Sequence, residues 1–322
     1  MAPLNVLMVG SGEYTTGMVN DSASTSDKKI GVVALTMFDL RRRGKVGQCS
    51  IVGVSGTRFP GIRKHFQKNI SEAYNNLDVT FQSFPADDKR DPDAYKTAID
   101  ALEKGSAITI FTPDSTHFPI ALYAIERGHH VLITKPATQL LSHHLQLLEA
   151  AKTHGVFVFV EHHKRFDPAY ADARHKANTQ LGDFNYFYSY MSQPKSQLET
   201  FKAWADMASK GEVRINQAKR GYDVASDESF SWLNPFYMKY APDEEGNFNG
   251  QTGYGYISFE KFVDAVNALK DGKVTLEELD KRPLPTLANT VLTTAILEAG
   301  RRSLDEGRSI EIVNTDGKWN LK

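Results

Sequence analysis

Four polar clusters follow directly on apolar, β-favouring runs, and they hold most of the side chains able to do chemistry. Gly10-Ser11-Gly12-Glu13-Tyr14 follows Leu4 to Val9, and Pro113-Asp114-Ser115-Thr116 comes just after Ala107 to Phe111. Thr134-Lys135-Pro136 follows Val131 to Ile133, and Glu161 to Pro168 closes the run Val156 to Val160. Glycines after a first strand let the backbone approach a pyrophosphate, whose charge the next helix N-terminus stabilises. The pattern here is G-x-G-x-x-T, with Gly17 two residues past the third glycine position, so a glycine turn without a ligand is the competing reading. Lys135 places a cation at a carboxyl end of the sheet, the edge where open α/β sheets bind ligands.

The elements that must position these clusters alternate. Residues 107 to 138 read as a strand, a break and N-cap, a short helix with Ile120, Leu122, Ala124 and Ile125 on its apolar face, a stop at Gly128, and a second strand. That is a βαβ unit of a parallel sheet. Upstream, Met18 to Lys29 reads as a polar loop and Ile30 to Arg43 as a helix. The triplet Arg41-Arg42-Arg43 suits a solvated last turn favoured by the helix dipole. Cys49 to Val54 and Leu77 to Phe81 read as strands, Pro92 to Lys104 as a helix, and Leu140, Leu141, Leu145 and Leu148 mark another helix. Strands alternating with helices over residues 4 to 160 predict an α/β, doubly wound parallel sheet.

Beyond residue 165 the pattern changes. Asp183 to Met191 and Glu212 to Ile215 read as strands, and residues 222 to 256 show little periodicity. Phe259, Phe262, Val263, Val266 and Leu269 give a helix stripe, Leu287 to Ala299 another, and Ile310 to Val313 a last short strand. The expectation is two domains, 1–165 for a nucleotide and 166–322 for substrate and oligomerisation.

Composition bounds the function. At 322 residues with 41% hydrophobic and 24% charged content and net charge −1, the chain has no electrostatic bias toward nucleic acid or membranes. A lone Cys49 and the lack of a basic-then-apolar leader point to a reducing, cytoplasmic setting. The pairs His143-His144 and His162-His163 have no Cys or carboxylate at ligand spacing, and Leu269 breaks the calcium-loop imitation ending at Glu278, so no metal is expected. Tyr254 and Tyr256 suit either stacking on a sugar ring or packing between domains. After the second strand, where NAD-binding units carry an acid for the ribose, stand Ser55-Gly56-Thr57-Arg58. Hydroxyls and an arginine lean to the 2′-phosphate of NADP over NAD; the alternative is that Arg58 is simply a surface residue.

At TPDSTH, GHHVLITKPAT and HHKRFDP the chain resembles the Gfo/Idh/MocA family of glucose–fructose oxidoreductase and inositol dehydrogenase, and the resemblance returns at GYGYISFEKFVDAVNAL. It implies an N-terminal Rossmann domain, a smaller α+β second domain with a mainly antiparallel sheet, and hydride transfer between NAD(P) and a sugar, polyol or related carbonyl. By that resemblance Gly10 and Gly12, with Glu13 and Tyr14, lie at the pyrophosphate, and Thr112, Pro113, His117 and Pro136 near the nicotinamide; Ser55, Thr57 and Arg58 are expected at the ribose from their own place after the second strand. Lys135 touches both nicotinamide and the reacting oxygen, and Arg165 lies near substrate. A positive charge beside a developing alkoxide is the electrostatics required, and desolvation makes such an ammonium easier to deprotonate. A small-molecule substrate and a homodimer are the partners implied.

Two departures stand against the family pattern. Thr134 replaces the acid of its E-K-P motif, and its second-domain Asp-x-x-x-His cannot be present because all ten histidines lie at or before His175. A block of that domain reads as missing near 193–211. Losing an acid/base costs roughly 10²–10⁴ in rate, so a nucleotide-binding sensor without efficient catalysis is the alternative reading.

Overall fold

The computed structural model describes residues 3–19, 22–24, 26, 28–180, 182–183, 225–226, 229–230 and 237–322. The strands expected from Asp183 to Met191 and from Glu212 to Ile215, and the shortening expected near 193–211, fall outside them but for Asp183. By contacts the chain forms two units, Met1–Asp167 with Phe236–Lys322, and Pro168–Pro235. The division differs from a separate 166–322 domain, because residues 237–322 pack into the first unit's core.

That unit is built on β1 (Leu4–Val9), α1 (Glu13–Thr16), β2 (Met18–Val19), β3 (Ser22–Ala23), α2 (Val33–Arg42), β4 (Val46–Val52), α3 (Phe59–Phe66), β5 (Gln82–Phe84), α4 (Ala94–Asp100), β6 (Ala107–Ile110), α5 (His117–Glu126), β7 (His130–Thr134), α6 (Leu141–His154) and β8 (Val158–Glu161). The order β5-β4-β1-β6-β7-β8, parallel throughout, is a doubly wound Rossmann sheet. The strands read as continuous apolar runs because both faces are covered. Leu7, Val9, Ile108, Ile110, Val131, Ile133, Val158 and Val160 face α4, α5 and α6.

On the other face, α2 and α3 cover only the β1–β4–β5 side, leaving Ala107, Leu132, Phe157 and Phe159 to be buried from elsewhere. The helix α8 (Tyr254–Lys270) does this with Phe259, Phe262, Val263 and Val266. Each such side chain contributes about 1.5–3 kcal/mol of burial as an upper bound. The free edge of β8 is also closed: the Val160 amide donates to Pro285 O and the Leu287 amide to Val158 O. The capping box Thr275–Glu278 starts α9 (Leu276–Lys281), where a turn and helix start were expected. A last helix, α10 (Val291–Glu306), packs on α6 and on the hairpin β11 (Ile312–Thr315) with β12 (Lys318–Leu321). The other unit shows α7 (Pro168–Thr179) and a short antiparallel pair, β9 (Ala225–Ser226) with β10 (Ser229–Phe230).

One local expectation is corrected. The third strand is Gln82–Phe84 and not Leu77 to Phe81, because Asp78 folds that stretch into a turn by accepting from the Thr80 amide and hydroxyl at 2.9 and 2.7 Å. The arginine triplet does close α2 with Arg42 and Arg43 exposed, and each of its side chains is also held by a partner. Arg41 reaches Asp78 and Thr80, Arg42 pairs with Asp39 at 2.7 Å, and Arg43 donates to Tyr256 Oη at 2.8 Å.

Candidate functional site

The order of the strands reverses at β1, so the crevice between the carboxyl ends of β1 and β6 is where a ligand is expected. The polar clusters gather along that edge. The first is the glycine loop. Gly10 has φ +106°, and a Cβ there would lie 2.1 Å from Phe111 O, so only glycine lets β1 and β6 end this close together. A Cβ on Gly12 meets nothing within 4 Å. The amides of Ser11, Gly12 and Glu13 donate to no acceptor among the described residues. Three free donors beside an open glycine fit a pyrophosphate. Thr16 Oγ1 braces the loop from below, donating to Ser11 O and Gly12 O at 3.1 and 3.0 Å.

The helix that follows is cut after one turn. Gly17 ends α1 in the left-handed region, an insertion carries β2 and β3, and the Val32 amide then docks on Tyr14 O at 2.8 Å so that α2 resumes beside α1. Glu13 is drawn into this insertion, accepting hydrogen bonds from Ser24 Oγ and, at 2.7 Å, from Ser26 Oγ. Its carboxylate therefore anchors the inserted hairpin and is turned from the ligand role expected of it. Tyr14 stacks on Phe111 at 5.7 Å, with Lys28 Nζ 5.3 Å from its ring centroid.

Past β4, Ser55 Oγ and Thr57 Oγ1 lie 2.8 Å apart, while Gly56 is pressed against Ala86 O, 1.9 Å from where its Cβ would be. Arg58 follows in a single 3₁₀ turn and is half-buried. Past β6, Thr116 bonds back to Thr112 Oγ1 and Pro113 O rather than capping α5 with its side chain. His117 is completely buried. Its Nδ1 lies 2.8 Å from Pro136 O and its Nε2 2.9 Å from Thr112 O, so both nitrogens are taken by backbone carbonyls. It clasps the β6 and β7 loops together and offers no nitrogen to a nicotinamide.

Lys135 is exposed at the end of β7, joined to Pro136 by a cis peptide. The burial expected for it is not seen; its charge is felt by Asp114 and His162. Burial pushes the Asp114 carboxyl up, against the pull of the His117 and Lys135 charges. Burial, then Arg165, with His163 and Lys135, pushes His162 down to about 4, so it is neutral at pH 7. Arg165 sits half-buried in the same loop, its amide donating to His162 O.

Sequence reasoning missed the arrangement around His163. Thr134 pairs with Glu161 in the sheet register, so Lys135 and His162 each follow directly on a paired residue of two adjacent strands. Glu161 is buried, and its Oε2 lies 2.9 Å from His163 Nδ1. The imidazole stacks on Tyr254 at 5.6 Å and 17°, and leans on Tyr237 at 5.1 Å. Lys164 bonds Asp167 at 2.8 Å and lies over the Tyr254 ring. Tyr237, pushed well up by burial, hydrogen-bonds Tyr14, which ties this cluster to the glycine loop. Tyr254 and Tyr256 are buried, so neither is a sugar platform. The available signal was alternation: Phe157, Phe159 and Glu161 share one sheet face, which put an acid on the side that α8 covers.

Among the described residues no group of three His, Cys, Asp or Glu is arranged to hold a metal, and no helix is long and apolar enough to cross a membrane. His144 is bonded to Thr294 and Leu287, and His143 stacks on Phe118. Cys49 is buried and its thiol is pushed up to about 12 by burial.

Comparison with known proteins returns a family model described as an oxidoreductase family with an NAD-binding Rossmann fold, matching residues 4–162. The chain is 34% identical over 105 residues to an uncharacterized oxidoreductase, YdgJ, of Escherichia coli, covering 32% of this chain and 30% of that one. It is 30% identical over 120 residues to scyllo-inositol 2-dehydrogenase (NAD(+)) of Bacillus subtilis, covering 37% and 34%. The matched stretch thus spans about a third of these relatives. Among solved structures, a scyllo-inositol dehydrogenase from Lactobacillus casei, with bound NAD(H) and scyllo-inositol, aligns over 95% of this chain and 98% of its own with TM-score 0.60 at 11% identity. A myo-inositol 2-dehydrogenase from Lactobacillus plantarum does so with 0.57 at 15%, over the same shares. At these identities the likeness is one of fold.

Proposed function

We infer, from the membership of residues 4–162 in the Gfo/Idh/MocA oxidoreductase family, that this chain is a nicotinamide-dependent dehydrogenase or reductase of a sugar, polyol or related small carbonyl compound. The observation that supports it most is the conjunction at one sheet edge of three unpaired loop amides, an open Gly12 and an exposed Lys135. Bound there, the nicotinamide cofactor supplies hydride exchange.

The chain's own residues do the rest. Ser11, Gly12 and Glu13 donate backbone hydrogen bonds to a pyrophosphate, and Gly12 lets it come close. Ser55, Thr57 and Arg58 hold the ribose end; hydroxyls with a guanidinium and no acid favour NADP over NAD, although the Bacillus subtilis scyllo-inositol 2-dehydrogenase is an NAD(+) enzyme and the Lactobacillus casei one binds NAD(H). His117 fixes the loops bearing Thr112, Pro113 and Pro136, and so sets where Lys135 stands. Lys135 sets its ammonium beside the reacting oxygen, stabilising alkoxide character there, and Arg165 orients the substrate. The reading goes with a cytoplasmic protein and a homodimer.

Parallel titration with NAD and NADP tests this. Saturating cofactor at 100 times its Kd stabilises the fold by about 2.7 kcal/mol, read as a rise in Tm. Lys135→Ala keeps that rise and loses turnover of the polyol that the parent oxidises. A parent whose Tm moves with neither cofactor ends the reading. A second reading is a nucleotide-binding sensor, favoured by the lack of any histidine beyond His175; it expects the Tm rise without hydride transfer.

A further inference from the structure

We propose that His163, held by Glu161, is the general acid/base of this site and works opposite Lys135, a role resting on the oxidoreductase reading above. Glu161 is a buried acceptor that takes the Nδ1 proton at 2.9 Å, which leaves Nε2 as the lone-pair nitrogen. Nε2 has no hydrogen-bond partner among the described residues, and it is not sealed from solvent. The ring plane is set by Tyr254 on one face and Tyr237 beside it, both buried. A carboxylate fixing the tautomer, two aromatic walls fixing the ring and one open nitrogen are what a proton-transfer histidine requires.

Its position suits the task. Glu161 is level with Thr134 across the β7–β8 pair, so the loop carrying His163 rises beside the one carrying Lys135. The Tyr237–Tyr14–Phe111 contacts link it to the glycine loop. In the oxidative direction the substrate's O–H bond breaks and its proton goes to Nε2. The hydride of the same carbon leaves for the oxidised nicotinamide, and the carbon–oxygen bond becomes a carbonyl. The imidazolium then sits against the Glu161 carboxylate, and reduction runs the same steps in reverse. His162 does not share this role, since burial and the Arg165 and Lys135 charges push it down to about 4, too low to hold the substrate's proton, and among the described residues no carboxylate is hydrogen-bonded to its ring.

Two measurements test the proposal. Diethyl pyrocarbonate on the cofactor-free protein at pH 7, read by peptide mass, is expected to modify His163 at Nε2. Glu161→Gln slows that modification because the tautomer is no longer held. A His163 left unmodified in the parent overturns the open nitrogen, whether or not the protein turns over. In NAD(P)-linked oxidation of myo-inositol and related polyols, His163→Asn, whose amide still reaches Glu161, is expected to lose about 10²–10⁴-fold in kcat. It should also lose the acid limb of the pH profile, while His162→Asn stays within about threefold of the parent by the same reasoning. Among the described residues the titratable groups that meet His163 are Glu161 and His162 on its own loop and Tyr237 and Tyr254 from the C-terminal segment, with Lys164 over the ring of Tyr254. Retained turnover and an unchanged profile in a folded His163→Asn overturn the role. Failure of NAD and NADP to bind the parent overturns the oxidoreductase reading instead, and leaves the modification result to stand for the dyad alone.

Discussion

A Cβ on Gly10 would lie 2.1 Å from Phe111 O, whereas one on Gly12 would meet no atom within 4 Å. The two glycines therefore serve different ends. Gly10→Ala forces a side chain into the left-handed region and against a backbone carbonyl, and is expected to cost about 2 kcal/mol or more in urea unfolding. Gly12→Ala, at φ −85°, should stay within about 0.5 kcal/mol of the parent and yet weaken cofactor binding by occupying the approach to the pyrophosphate. If both variants lose stability alike, the division of labour fails. Spacing in the sequence marked both glycines as special, but only their neighbours distinguish fold from ligand. Glu13 makes the same point from the other side: its place in the loop suggested a ligand contact, and serines 11 and 13 residues further on claimed its carboxylate, which leaves its amide for a ligand.

At the scale of elements, the joint between α2 and α8 carries the C-terminal segment. Asp39 is fully buried, accepting from Tyr256 Oη at 2.7 Å, from Gln251 Nε2 at 3.1 Å and from Arg42 at 2.7 Å. Around it, Arg43 and Lys45 pair with Glu260, and Lys45 also reaches Asp264. Asp39→Ala leaves the buried Tyr256 hydroxyl and the Gln251 amide without this acceptor, while the exposed Arg42 turns to water, and is expected to destabilise by about 1–3 kcal/mol. Tyr256→Phe should cost about 1–2 kcal/mol. Chemical denaturation of both variants checks this, and a loss below about 1 kcal/mol for Asp39→Ala would show the network to be redundant. The helices themselves were legible from their apolar stripes. Their joint was not, because Asp39 lies between apolar residues in the chain and two of its partners lie more than 200 residues away.

For the whole molecule, the buried histidines set a pH window. Burial pushes His129 and His130 down to about 4, and His130 Nδ1 accepts the Phe157 amide at 2.9 Å. In the unfolded chain a histidine titrates near 6.5, so between about pH 4 and 6.5 the unfolded state binds the extra protons. Stability then rises with pH across that window, is level above it, and its full loss is reached below the folded value. For His130 the change is on the order of 1–3 kcal/mol. Urea midpoints should be lower at pH 5.0 than at 7.5. His130→Gln keeps an acceptor for Phe157 and should flatten the slope. Equal parent midpoints at the two pH values would count against the assignment.

Local pattern alone determined the alternating strands and helices of residues 4–160, the glycine turn after β1, Lys135 at a strand end and the absence of histidine beyond residue 175. These depend on side-chain period and backbone preference, which neighbouring residues set. Tertiary structure decided what local pattern leaves open: that α8 covers the bare half of the sheet, that His117 spends both nitrogens on two loops, and that Glu161 holds His163 against Tyr254. The reason is physical. A polar side chain's partner is set by which segments the apolar faces press together, and here that brings residues 237–270 onto strand ends about a hundred positions earlier.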